Sequence, residues 1–143
     1  MQKRTKFPVV FLCASTLISF SNHIVAEEWS SIIKKKEYEI FVDIDSYNQE
    51  NGWPFMTTKT VDMTPQLLNK KRSSSTYVTH VAQWQFNCKN PVYRMRFSTF
   101  LDQKEKVIGQ QTPNKHFQTI PVGSDIFAIG QLTCQVHQMV GGQ

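Results

Sequence analysis

The sequence is poor in everything that announces a reaction. It has no G-x-S-x-G nucleophile elbow, no phosphate-cradling P-loop and no G-x-G-x-x-G dinucleotide turn. His80, His116 and His137 stand singly, and none is at ligand spacing from a cysteine. Asp43 and Asp45 lie two apart on a predicted strand, yet no oxygen-rich calcium loop surrounds them. A solvated strand face accounts for both. No catalytic residue, metal ligand or cofactor motif can be named, and the chain reads as a non-enzyme.

A membrane-spanning run is missing too. Phe7–Phe20 is apolar, broken only by small hydroxyl residues, but at fourteen residues it is short of the roughly 20 that cross a bilayer. Lys3, Arg4 and Lys6 precede it, and Ser21-Asn22-His23 then Ile24-Val25-Ala26 follow. That order is a secretory signal peptide, residues 1–26, with cleavage expected after Ala26. Cys13 follows Val10-Phe11-Leu12 inside the apolar run rather than small residues at its end. It lacks a lipoprotein context, so the exported chain is expected without a lipid anchor.

Excess charge leaves with the signal. Of 16 basic and 11 acidic residues, three basic ones lie in the first 26, so 13 − 11 leaves +2. A nucleic-acid binder needs a stronger basic balance. The remaining 143 − 26 = 117 residues, 27–143, suffice for one domain with a modest core. Two cysteines remain, Cys88 and Cys134. In an exported chain a disulfide is the economical reading, worth about 4 kcal/mol for a loop this long in the chain-entropy model. A catalytic thiol or metal pair would need a histidine nearby.

What is present is strand patterning. Ala82-Gln-Trp-Gln-Phe-Asn-Cys88 alternates with period two, putting Ala82, Trp84, Phe86 and Cys88 on one face. Lys89-Asn90-Pro91 then turns the chain. The return strand sets Tyr93, Met95, Phe97 and Leu101 on one face, with Arg94, Arg96 and Ser98 on the other. Cys88 is expected at the hairpin tip, facing inward. Trp29–Ile33 is a short opening strand. Tyr38, Ile40, Val42 and Ile44 form a second strand face, and Asn51-Gly52 is the favoured pair for a type I′ hairpin turn. Trp53–Asp62 returns, with Pro54 marking a local edge. Thr64–Ser75 reads as a loop, and Val107–Gly109 as a short strand. Ser124 is an N-cap and Asp125 suits the positive end of a helix dipole. Ile126, Phe127, Ile129, Gly130, Thr133 and Cys134 make that helix's apolar stripe. The expected fold is α+β, one antiparallel sheet with a C-terminal helix on one face.

Several residues invite a binding role. Trp53 and Phe55 could present aromatic surface to a partner, although strand packing explains them equally well. Arg94 and Arg96 project together and could clamp an anionic group. Lys70, Lys71 and Arg72, in the Ser-rich loop, add mobile charge. A continuous basic surface of these five residues is the expected contact with a protein partner.

Three stretches resemble the surface-adhesin protein E family. Val42-Asp43-Ile44-Asp45-Ser46 with Trp53–Val61 is similar to its Asp-x-x-Ser, turn and strand opening. Gln85-Phe86-Asn87-Cys88, with Tyr93-Arg94 after it, resembles its strand–Cys–Tyr-Arg core. Phe117–Ser124 through Cys134 is similar to its closing segment, with Phe117 where the family more often has Trp. The resemblance spans about Trp29–Cys134. It implies a sheet of about six strands with a disulfide-linked C-terminal helix, in a Gram-negative envelope. It further implies a surface adhesin contacting host extracellular-matrix or serum proteins such as vitronectin and laminin. The alternative is a periplasmic accessory or inhibitor protein that docks an envelope enzyme or secretion and assembly machinery.

Overall fold

The computed structural model describes residues 28–68 and 75–141. The signal segment, its cleavage site and Lys70, Lys71 and Arg72 lie outside the described residues.

Six strands run as an antiparallel meander, each beside its neighbour in sequence: β1 (Trp29–Lys34), β2 (Tyr38–Glu50), β3 (Trp53–Leu67), β4 (Thr76–Asn87), β5 (Val92–Leu101) and β6 (Val107–Gln111). A two-residue β7 (Gln118–Thr119) also pairs with β5, ahead of the helix α1 (Asp125–Met139). The outer edge of β5 is thus closed in pieces. β6 takes its C-terminal half, Asn114 N–H donates to Met95 O (3.0 Å), β7 takes Val92 and Tyr93, and Ile120 N–H donates to Pro91 O (2.7 Å). Covering an edge in this way blocks unwanted strand addition.

Local chemistry explains the turns. Asn51 and Gly52 both take positive φ, 53° and 75°, as a type I′ hairpin requires. Pro54 finds its edge locally, because the β3–β4 ladder begins only at Phe55 opposite Gln85. β3 does not stop at Asp62. After a register shift beyond Val61 it continues to Leu67, where Gln66 and Leu67 pair with Tyr77 and Thr76. Polar composition suggested a loop over this stretch; the free side of β4 supplies the ladder partners instead.

The core lies between α1 and the sheet. Ile40, Phe86, Ile120 and Ile129 form one buried cluster, and Val42, Met56 and Val136 a second. Ser124 caps the helix, its Oγ accepting from Phe127 N–H (3.3 Å). Gly130 sits directly over Phe86: a Cβ at that position would meet the ring at 2.9 Å. An internal glycine costs a helix about 1 kcal/mol, but here it lets α1 approach a wholly buried ring. Two fastenings hold the helix ends. The Cys88–Cys134 disulfide ties the β4–β5 turn to α1. At the N-terminal end, Lys35 Nζ donates to Asp125 Oδ1 (2.8 Å) and to Tyr38 Oη (2.9 Å), while Tyr38 Oη donates to the other Asp125 oxygen. These bonds hold the Asp125 carboxyl below its ordinary range and raise Lys35 above that of a free lysine. Cys88 departs from its expected inward placement: β4 ends at Asn87, and Cys88 is an exposed turn residue reaching back to a half-buried Cys134.

A bulge in β5 reassigns faces. Gln83 pairs with Phe97 but the next residue, Trp84, pairs with Met95, so Arg96 is the extra residue. The alternation therefore flips beyond it. Ser98 and Phe100 join Met95 on the helix side and are buried, whereas Phe97 turns to the opposite face with Arg94 and Arg96 and is 39 % exposed. Simple period-two counting had put Phe97 inward and Ser98 outward.

Candidate binding surface

The sheet face away from α1 carries aromatic rings topped by cations. From β3, Trp53 and Phe55 point to this side, because their neighbours Pro54 and Met56 are buried on the helix side. Phe117, just before β7, lies against Trp53 edge-on at a ring separation of 4.1 Å. The Arg94 guanidinium lies over Phe117 at 4.8 Å and that of Arg96 over Phe55 at 3.9 Å. Towards the β1 edge, Lys59 Nζ lies over Trp29 at 4.4 Å and over Phe41 at 5.5 Å. Such contacts are worth about 0.5–1 kcal/mol each at exposed sites. They shield half-buried rings without removing them from reach.

Polar bonds fix the two arginines. Gln85, buried despite facing away from α1, accepts from Arg94 Nε at Oε1 (2.7 Å) and donates through Nε2 to Trp53 O (3.2 Å). Glu50 Oε2 lies 2.9 Å from Arg96 and 3.8 Å from Arg94. Glu50, Trp53, Gln85, Arg94 and Phe117 line a shallow cleft of about 290 Å³. Arg94 and Arg96 are therefore brought together as expected from sequence, but as a ternary group with Glu50 rather than as bare positive charge. Their outer edges remain open, with side chains 31 % and 27 % exposed. Preorganised guanidinium planes on aromatic supports suit carboxylate recognition. Trp53 and Phe55 settle as braced packing, one against Phe117 and the other beneath Arg96.

The other candidates found structural work. Asp43 Oδ1 accepts from Asp45 N–H (3.0 Å) and Ser46 N–H (3.3 Å), bending β2 where its register with β3 shifts. That oxygen is engaged by the β2 backbone. His80 is half-buried against Phe100, stacked at 4.6 Å, and its Nε2 bonds Ser98 Oγ; burial pushes its pKa down. His137 is not solitary: its Nδ1 bonds Tyr47 Oη at 2.8 Å. No group of three or more His, Cys, Asp or Glu residues among the described residues is placed to hold a metal ion. Sequence reasoning missed Glu50, Gln85, Phe117 and Lys59. Gln85 alone carried a readable signal, as a polar residue in a strand between two large aromatics.

The architecture has a solved counterpart. The structure of Haemophilus influenzae protein E superposes with a TM-score of 0.52 at 13% sequence identity, over 78% of this chain and 86% of that one. That likeness speaks for the fold. No individually curated protein matches the chain. No described helix is long and apolar enough to cross a membrane. The surface-adhesin protein E family matches residues 29–135, from the first residue of β1 to the residue after Cys134, and the chain belongs to that family.

Proposed function

We propose that this chain is an exported envelope binding module whose helix-free sheet face grips a host matrix or serum protein. Membership of an adhesin family supports a protein partner. The observation that carries the choice of surface is the pair of guanidinium planes, Arg94 on Phe117 and Arg96 on Phe55. Arginine and large aromatics dominate the energetics of protein interfaces, and held side chains lose little freedom on binding. Lys70, Lys71 and Arg72 would add positive charge that steers an acidic partner during encounter.

The two groups then separate kinetically. Reversing Lys70, Lys71 and Arg72 to Glu should slow capture of immobilised vitronectin or laminin at low salt and leave dissociation unchanged. Replacing both Arg94 and Arg96 by Ala should shorten the lifetime of the complex. Unchanged kinetics in both variants would reject this surface. Protease access on intact cells tests placement: cleavage supports display outside, whereas full protection favours the periplasmic accessory reading. N-terminal sequencing of the exported protein should begin at Glu27, with no acyl chain at Cys13.

A further inference from the structure

A second recess, which shares Asn51 and Trp53 with the arginine cleft, opens where the β2–β3 turn, the β4–β5 turn and the last turn of α1 meet. Its volume is about 480 Å³, within the range usual for small-ligand sites. Carboxamide residues dominate its wall, Gln49, Asn51, Asn87 and Gln138, joined by Trp53 and His137. Among the described residues no carboxylate lines it, and Lys89 carries the one formal charge.

The wall is fastened at three points. The Cys88–Cys134 disulfide joins the β4–β5 turn to α1. Tyr47 engages Nδ1 of His137 at 2.8 Å, leaving Nε2 as the ring nitrogen available to a ligand. Asn87 Oδ1 accepts from the backbone N–H groups of Lys89 (2.9 Å) and Asn90 (3.2 Å), leaving the amide NH₂ available. The side-chain amides of Gln49, Asn51 and Gln138 have no hydrogen-bond partner among the described residues. Trp53 is braced by Phe117.

Hydroxyl groups both donate and accept hydrogen bonds, and carboxamides answer both needs from one planar group. An indole supplies apolar surface for the C–H face of a pyranose ring. Turns and a helix end form the recess, so a peptide finds no open strand edge there to extend. A basic ligand finds no carboxylate. We propose that this recess is a carbohydrate site for a neutral disaccharide, formed from side chains of three turns and bordering the arginine cleft at Asn51 and Trp53.

Titrating the ¹⁵N-labelled, disulfide-bonded protein with N,N′-diacetylchitobiose and with lactose tests this. The side-chain amides of Asn87 and Gln138, which do not line the arginine cleft, should shift saturably with at least one of them, with dissociation constants in the millimolar range, about −4 kcal/mol. Gln49→Ala and Gln138→Ala change exposed side chains and should each weaken binding several-fold while leaving the rest of the spectrum in place. Arg96→Ala should have no effect on it. Absence of saturable shifts with both disaccharides, shifts confined to the Arg94–Arg96 face, or binding by sialyllactose alone would each overturn the proposal.

Discussion

The two faces of the sheet both carry large aromatic side chains, and they cover them in opposite ways. On one face, Phe86 is sealed by a helix whose Gly130 touches its ring. On the other, Phe55 and Phe117 are topped by the guanidinium groups of Arg96 and Arg94 instead of a helix. A helix is a permanent lid, because removing it exposes the core. A cation on a ring is an exchangeable one, since its contribution of about 0.5–1 kcal/mol is within reach of a partner's own contacts. The covered face holds the fold and the cation-topped face is available for recognition.

Truncating equivalent rings should break this symmetry most visibly. Phe86→Ala should cost about 3–5 kcal/mol, as for other fully buried phenylalanines. Phe55→Ala should cost only about 1 kcal/mol, combining partial burial and one lost cation–ring contact. Denaturant unfolding of the two variants measures both. Cys134→Ala removes the link between turn and helix and should cost about 2–5 kcal/mol, with helix signals lost before sheet signals on heating. Gly130→Ala should lose about 1–3 kcal/mol by overpacking, despite alanine's better helix propensity, because the added Cβ would meet the Phe86 ring at 2.9 Å. Arg96→Ala should change stability by under about 1 kcal/mol.

The smallest expected effects are those of pH. His80 has a depressed native pKa because burial disfavours its charged form. The unfolded chain therefore binds more protons, and stability falls as pH drops below about 6.5. His80→Gln should flatten that slope in a melting series. Asp125 has its carboxyl pKa lowered by Lys35 and Tyr38, so its contribution is present at neutral pH and lost as pH falls through the native value. Asp125→Asn should remove that acid limb and leave the His80 limb in place.

Much of the covered face was legible in the sequence. Ala82, Trp84 and Phe86 alternate cleanly, Ser124 precedes a helical stripe, and Asn51-Gly52 names its own turn, because each is a local preference. The family's motifs supplied the strand number. What was not legible depends on pairing across the chain. The Arg96 bulge arises from register between β4 and β5, so counting by two carried Phe97 to the wrong side. β3 extends past Asp62 because β4 offers a ladder that polar composition does not reveal. Glu50 reaches Arg96 across 46 residues, and Tyr47 reaches His137 across 90. Arg94 and Arg96 could be named as candidates, whereas their aromatic supports could not.

The proposed function requires the helix-free face to be the gripping surface. The most direct measurement is hydrogen exchange on the disulfide-bonded protein with and without a saturating partner, vitronectin or laminin. Backbone amides of Phe55, Gln85, Arg94 and Arg96 should gain protection while those of Ile129–Val136 in α1 stay unchanged. Protection of α1 with none at Arg94 and Arg96 would contradict it.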